Sequence, residues 1–322
     1  MKNILVTGGA GFIGSNLVED LLENGYHVRI LDNYSSGSRD NLVQFRPFSN
    51  FDAFEGDIRD LHSCMQACND MDAVIHLAAL GSVPRSIAEP INSNENNISG
   101  TLNMLVAAKE KNIQRFVCAS SSSVYGNKTT DLTVKPRSEN DFPNPVSPYA
   151  ITKYGLELYA RQFYHLYGLK TIAIRFFNVF GKRQNPESQY AAVIPIFITK
   201  LLKGERPTIY GDGSTSRDFT HVSNVIEGCK LALNADERAY GEVFNLACGS
   251  SITLNELYYA IQKELGSDIE PNYADERKGD IKFSFADITK ANELLGYTMK
   301  TSFESGIKKT VQWYKDQFKY NA

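Results

Sequence analysis

Residues 8 to 14 read Gly8-Gly9-Ala10-Gly11-Phe12-Ile13-Gly14, with glycines recurring at 8, 11 and 14. Glycine permits a tight turn and lets a backbone come close to a pyrophosphate. A helix starting at this point would add N–H donors and a partial positive charge. Eighteen residues past Gly14, Asp32 ends an apolar run. An acid there can take the ribose hydroxyls of an adenosine and repel a 2′-phosphate, which favours NAD over NADP. Asp57-Ile58 sets a carboxylate beside an apolar side chain, a pair suited to the amino edge and face of adenine. The second constellation is Tyr149 and Lys153, four apart and therefore on one helix face. A free tyrosine titrates near ~10, and bringing it toward ~7 takes roughly 4 kcal/mol of preferential phenolate stabilisation. A lysine one turn away and the positive ring of an oxidised nicotinamide can supply that. Four serines, Ser120 to Ser123, could provide a hydroxyl that bridges the tyrosine and a substrate.

These groups need elements to hold them. Ile4–Val6 predicts a strand leading into the glycines. Apolar residues at Ile13, Leu17, Val18, Leu21 and Leu22 predict a helix, stopped by Gly25. Val28–Leu31 predicts the next strand. Strands at Ala73–Leu77, Phe116–Ala119 and Thr171–Phe176 alternate with helices at Leu102–Lys111 and Tyr149–Tyr167. Ser147 and Pro148 read as the N-cap and first residue of the last of these helices. Short strands that are apolar on both faces, alternating with helices, predict a doubly wound, Rossmann-like α/β fold with a parallel sheet. The four serines then fall at the carboxyl end of a strand, where such sheets bind ligands. The alternation weakens after Asn178, where Gly, Asp, Ser and Arg cluster at 211–218. Helices follow at Val222–Asn234, Leu254–Leu265 and near Phe303–Phe318. We expect a dinucleotide domain at 1–177 and a smaller α/β substrate lobe, mainly 178–322, with chain interleaving between the two and a ligand cleft between them.

The 322 residues carry 34 basic and 37 acidic side chains, a net charge of −3 that leaves no electrostatic footprint for nucleic acid or an anionic membrane. No run approaches the ~20 apolar residues of a membrane span. The N-terminus enters a strand directly and lacks a signal peptide's apolar core, so a cytoplasmic location is expected. Five scattered cysteines do not suggest disulfides. Cys64 and Cys68 share a helix face with only His62 nearby, which reads as packing rather than a metal site.

Taken in order, Gly8–Gly14, Asp32, Asp57-Ile58, the segment SSSSVYG at 120–126, Tyr149 with Lys153, Asn178 in RFFNVFG, Arg217 in SRDF and Arg277 with Asp280 in RKGD resemble the extended short-chain dehydrogenase/reductase superfamily. Within it the chain is similar to the UDP-hexose 4-epimerases, over nearly its whole length. The resemblance implies NAD as cofactor, a UDP-sugar substrate and a homodimer built through two helices per subunit, with 102–111 and 149–167 as candidates. It makes Ser121 the catalytic Ser/Thr, Tyr149 the base and Lys153 its activator and nicotinamide-ribose ligand. It implies a cofactor site of Gly8, Gly11, Phe12, Ile13, Gly14, Asp32, Asn33, Ser35, Gly37, Asp57, Ile58, Leu77, Ala78, Ala79, Asn97 and Phe176 beside the catalytic pair. For the sugar it implies Gly81, Ser82, Ser122, Ser123 and Gln184. Asn178, Arg217 and Arg277 would hold the diphosphate and Asp280 the uridine ribose, with Val193, Thr208 and Tyr210 around the uracil.

Related dehydratases and decarboxylases resemble one another in an acid two residues after the catalytic Ser/Thr, needed to move the C5 proton. Ser122 and Ser123 stand there instead, which leaves oxidation and re-reduction at one carbon. A net nucleotide-sugar oxidoreductase and a non-catalytic nucleotide-sugar sensor are the rival readings. Epimerases restricted to plain hexoses typically carry a tyrosine four residues past the position of Asp280, and Ser284 occupies it here. The small residues at 76–86 and 178–184 also resemble the subgroup acting on N-acetylated hexoses. UDP-N-acetylglucosamine/UDP-N-acetylgalactosamine interconversion is therefore the expected reaction, with UDP-N-acetylhexosaminuronic acids and UDP-glucose/UDP-galactose as alternatives.

Overall fold

In the computed structural model, residues 1–126, 135–187, 192–276 and 283–321 are described. The first half alternates as the apolar runs require: β1 (Asn3–Thr7), α1 (Phe12–Glu23), β2 (His27–Asp32), β3 (Phe51–Glu55), α2 (Leu61–Ala67), β4 (Ala73–His76), α3 (Val83–Ala88), α4 (Pro90–Asn94), α5 (Gly100–Glu110), β5 (Arg115–Ser121), α6 (Pro148–Tyr167) and β6 (Thr171–Phe176). A π-turn at Glu95–Ser99 joins α4 to α5. The remainder comprises β7 (Asn178–Phe180), α7 (Val193–Leu202), β8 (Thr208–Tyr210), β9 (Ser216–Arg217), β10 (Phe219–His221), α8 (Val222–Asn234), β11 (Val243–Leu246), β12 (Ile252–Thr253), α9 (Leu254–Leu265), β13 (Asn272–Ala274), β14 (Phe283–Ser284), α10 (Thr289–Leu295) and α11 (Phe303–Asn321).

The fold is α/β and doubly wound. Seven parallel strands form one sheet in the order β11-β6-β5-β4-β1-β2-β3. Ile4, Leu5 and Val6 of β1 are all fully buried, because helices cover both faces. On one face Leu17, Val18 and Leu21 of α1 pack with Val225 and Cys229 of α8. On the other, Cys64 of α2, Met104 and Leu105 of α5 and Leu156 of α6 pack together. That packing accounts for Cys64 and Cys68, whose thiols burial pushes up to about 12. The strand order reverses at β1, which pairs with both β2 and β4. A crevice opens at such a reversal, outside the carboxyl ends of the strands.

The later segments form three small sheets, β10-β7, β12-β9-β14 and β13-β8. They sit with α7, α9 and α11 over a separate apolar cluster that includes Phe197, Tyr258 and Ile307. β11 leaves this region to pair with β6 at the edge of the large sheet. The helices predicted at 222–234 and 254–265 have those bounds, while the last runs on to Asn321. Several short helices, α2, α3, α4 and α10, had no expectation. Each is five to seven residues long, too short for a helical apolar period to register. Among the described residues, no helix is long and apolar enough to cross a membrane.

Candidate active site

The glycine segment is a backbone device. Gly8 has φ +70° and its N–H donates to Leu31 O at 2.9 Å, tying the turn to the end of β2. A Cβ on Gly14 would lie 2.1 Å from Gly8 O, so only glycine lets α1 start against the turn. Gly11 is the N-cap of α1 and brings no side chain to satisfy the first N–H groups of the helix. Such an opening receives an anion. Asp32 ends β2 with Oδ2 accepting from Ala10 N (2.9 Å) and Oδ1 from Tyr34 N (2.8 Å). Burial pushes its carboxyl up, against those two N–H donors.

These groups line a cavity of about 400 Å³ at the carboxyl ends of the strands. Gly8, Gly11, Phe12, Ile13 and Gly14 form one wall, and Asp32, Asn33, Ser35 and Gly37 continue it. Ile58, Leu77, Ala78, Ala79, Gly81, Phe176 and Gln184 also face the cavity. So do Ser121, Tyr149 and Lys153. A glycine cradle, a carboxylate at the end of β2 and open helix N–H groups fit the pyrophosphate and ribose of a dinucleotide. Asp57 stands just off the lining. It accepts from Asn33 Nδ2 at 2.9 Å and is held down to about 2, chiefly by the Arg59 guanidinium.

The catalytic candidates converge from two elements. Ser147 Oγ caps Ala150 N (3.2 Å) and Pro148 is the first residue of α6, which fixes where that helix begins. Tyr149 therefore sits in the first turn and Lys153 in the next. Lys153 is almost fully buried, with Nζ donating to Ala119 O at 2.7 Å and lying 5.9 Å from the Tyr149 ring centroid. Burial pulls its ammonium down to about 8. Tyr149 is hydrogen-bonded to Ser121, which pulls its phenol down, but burial outweighs this and pushes it up. The spacing alone suggests a lowered tyrosine. The protein's own environment does the opposite, and positive charge at the phenol must make up the difference.

Asn97 does not line the cavity. It is buried behind the wall, with Oδ1 accepting from Leu80 N (2.8 Å) and Nδ2 donating to Leu80 O (3.2 Å) and Thr152 Oγ1 (3.1 Å). Thr152 Oγ1 in turn donates to Tyr149 O at 2.8 Å. Ser86 Oγ accepts from Tyr149 N at 3.0 Å. Both backbone polar groups of Tyr149 are thus held by side chains, and Ser86 is a holding residue that the sequence did not single out.

The residues expected around the sugar and uridine are spread more widely. Ser122 and Ser123 open a short 3₁₀ turn after β5, and Ser123 Oγ is buried without a hydrogen-bond partner among the described residues. Gln184 Oε1 is buried and unpartnered in the same sense. Ser82 caps α3 through Arg85 N (3.2 Å). Asn178 begins β7 and is exposed. Val193 begins α7, and Thr208 and Tyr210 end the three-residue β8. Arg217 on β9 stands in register opposite Ser284 on β14. None of these except Gln184 borders the cavity. Arg277 and Asp280 lie outside the described residues. Among the described residues, no group of three or more His, Cys, Asp or Glu side chains gathers as a metal site would need.

Residues 4–247 match the model of the NAD dependent epimerase/dehydratase family. The fold superposes with a TM-score of 0.92 on a UDP-N-acetylglucosamine 4-epimerase from Methanobrevibacter ruminantium in complex with UDP-N-acetylmuramic acid, at 43% identity over 98% of this chain and 99% of that one. A UDP-glucose 4-epimerase from Thermotoga maritima with UDP-glucose gives a TM-score of 0.91 at 39% identity, again over 98% and 99%. A UDP-glucose 4-epimerase of Mycolicibacterium smegmatis is 36% identical over 97% of this chain and 98% of its own.

Proposed function

The chain belongs to the NAD dependent epimerase/dehydratase family, and from that premise we propose that it is a UDP-sugar 4-epimerase interconverting UDP-N-acetylglucosamine and UDP-N-acetylgalactosamine. The observation that carries the reading is the meeting of Ser121, Tyr149 and Lys153 on the wall of the cavity that the glycine cradle opens. Relatives named as UDP-sugar 4-epimerases over nearly the full length support the reaction class.

The Gly8–Gly14 cradle and Asp32 would hold NAD, which would supply a hydride acceptor and donor for the sugar's C4 and a positive charge in its oxidised form. Tyr149 takes the proton of the 4-hydroxyl and returns it after the 4-keto sugar has turned over in the cavity. Ser121 shares a hydrogen bond with the Tyr149 phenol and reaches the same oxygen of the sugar. Lys153, fixed to Ala119 O, lends positive charge to the phenolate. Gln184 Oε1, on the cavity wall, has no hydrogen-bond partner among the described residues, and buried polar groups ordinarily have one. It is suited to a polar substituent of a hexose.

The proposed preference for an N-acetylated sugar is inferred from Ser284, a small residue on β14 opposite Arg217 and off the wall of the cavity described above. The rotating intermediate must clear its largest substituent in both poses, and where the bound sugar reaches β14 a serine would leave room that a phenol ring would fill. A bulky group forced into a filled site costs about 1–3 kcal/mol, roughly 5- to 150-fold. Ser284→Tyr should therefore lower kcat/KM for UDP-N-acetylglucosamine far more than for UDP-glucose. An unchanged ratio of the two would remove the N-acetyl preference and leave the 4-epimerase reading in place.

The active form we propose is a homodimer. Ile151, Leu158, Tyr159 and Leu166 of α6 are 57%, 47%, 39% and 68% exposed, too apolar a stripe to face water on a helix. Their seven-residue repeats, 151 to 158 and 159 to 166, suit packing against a second α6. Sedimentation equilibrium of the purified protein at the mass of one chain would exclude it.

A further inference from the structure

Glu157 lies one helical turn beyond Lys153 on α6, and no step described above uses it. Only 4% of it is exposed. A carboxylate buried to that degree needs partners, and Glu157 has three contacts. Arg175 of β6 binds it through both ends of its fork, Nε to Oε1 at 2.8 Å and Nη2 to Oε2 at 2.7 Å. Ser120 Oγ of β5 donates to Oε1 at 2.5 Å. Ser120 stands in register opposite Arg175 on the neighbouring strand. It also lies between Ala119, whose carbonyl accepts from Lys153, and Ser121, which is hydrogen-bonded to Tyr149. Within one turn, α6 is therefore tied twice to the end of β5, by Lys153 to Ala119 and by Glu157 to Ser120.

A buried ion pair is seldom more stabilising than apolar side chains of the same volume. Stability alone gives little reason for a charge at this point, whereas its placement beside Lys153 does. We propose that Glu157, clamped by Arg175 and Ser120, is a positioning residue that keeps Lys153 in its ammonium form and seats the 119–121 segment against Tyr149.

The charges around Lys153 support this. Its own helix presents Tyr149 and Glu157, β5 presents Cys118, β4 presents His76, and β6 presents Arg175. Burial pushes the Cys118 thiol up to about 12 and His76 down to about 3, so both are neutral near pH 7. Burial drives Lys153 toward its neutral form; Cys118 and, after it, Glu157 oppose this, and of the two only Glu157 is a carboxylate. Arg175 is committed to Glu157.

Two variants test the inference, which takes Tyr149 and Lys153 as the reacting pair proposed above. Glu157→Gln keeps the size and an acceptor for Ser120 but removes the charge. Because it leaves Arg175 buried and unpaired, Glu157→Gln/Arg175→Met is made beside it. Lysine labelled with ¹³C at Cε reports the Lys153 titration in the NAD-loaded protein, with the resonance assigned by its loss in Lys153→Met. The Lys153 midpoint should fall by about one pH unit or more in Glu157→Gln, the size expected on losing a neighbouring opposite charge, and by less in the double variant. The alkaline limb of kcat should move with it, while KM stays within about threefold. A folded variant with an unmoved midpoint would overturn the proposal. So would a double variant that fails to fold, since that would make the role purely structural. The midpoint is read without turnover, so the inference stands or falls separately from the proposed activity.

Discussion

Alanine at position 14 probes whether the glycine cradle is a cofactor seat. The new Cβ would lie 2.1 Å from Gly8 O, 2.8 Å from Gly9 Cα and 2.9 Å from Gly8 C. All three are backbone atoms, so no rotamer change relieves the contact. Reaching the 3.0 Å that real Cβ atoms keep requires the Gly8–Gly9 turn or the start of α1 to move by about 0.9 Å (3.0 − 2.1). The Gly8 N to Leu31 O bond resists that movement. Overpacking of this kind costs about 1–3 kcal/mol, enough to lower Tm by a few degrees in a chain of this length. A displacement of ~1 Å at a positioning group can cost ~100-fold in function. Gly14→Ala should therefore fold with a slightly lower Tm and lose most of its bound NAD, measured as nucleotide released from denatured protein per chain. Gly25→Ala is the control. Its φ is +78° but nothing lies within 4 Å of its Cβ, so it should lose stability of the order of 1 kcal/mol and keep NAD. Full NAD occupancy in Gly14→Ala, with a Tm no lower than the control, would show that the glycine turn does not seat the cofactor.

Tyr149→Phe keeps the ring and removes the titrating oxygen. Loss of a general base typically costs ~10²- to 10⁴-fold, so turnover should collapse while calorimetry shows UDP-sugar binding intact; activity within fivefold of wild type would reject Tyr149 as the base. His76 makes a separate prediction about acid stability. It is held between Thr7 Oγ1 (2.8 Å) and Thr101 Oγ1 (3.0 Å), and burial pushes it from its ordinary 6.5 down to about 3. The folded state keeps it neutral while the unfolded chain protonates it below 6.5. Its stabilisation is thus complete above that pH and is lost as pH falls toward 3, at about 1.4 kcal/mol per unit. Urea unfolding between pH 6 and 4 should show a slope shallower by about that amount in His76→Gln, and equal slopes would contradict the assignment.

Much of this was legible in the sequence wherever the determining interaction is local. The strand at Thr171–Phe176 is mostly apolar, broken by Thr171 and Arg175, and the start of α6 follows from Ser147 and Pro148. The Gly8–Gly14 turn is encoded by residues within one loop. What was not legible depends on partners far along the chain. Ser86 holds Tyr149 N from 63 residues away, and Ser120 meets Glu157 across 37. No spacing rule signals either. Asn97, expected beside the cofactor, lies in the π-turn before α5 and is hydrogen-bonded to Leu80, 17 residues away, a contact that no spacing signals. The Tyr149 phenol shows the same limit in energetic form: four-residue spacing indicates a lysine neighbour but not how deeply the pair is buried, and burial dominates. Of the residues expected around the uridine diphosphate, Thr208, Tyr210 and Arg217 sit on strands of two or three residues, too short to predict from periodicity.

The proposed reaction inverts the C4 hydroxyl of a UDP-hexose using NAD that the protein retains through the cycle. The direct measurement is to incubate purified protein with UDP-N-acetylglucosamine, and separately with UDP-glucose, adding no cofactor, and to resolve the sugar nucleotides by NMR while following absorbance at 340 nm. UDP-N-acetylgalactosamine should appear to an equilibrium mixture, faster than UDP-galactose does from UDP-glucose, with no net rise in NADH. Absence of both epimers, or a keto sugar accumulating in step with NADH, would exclude a retained-NAD 4-epimerase.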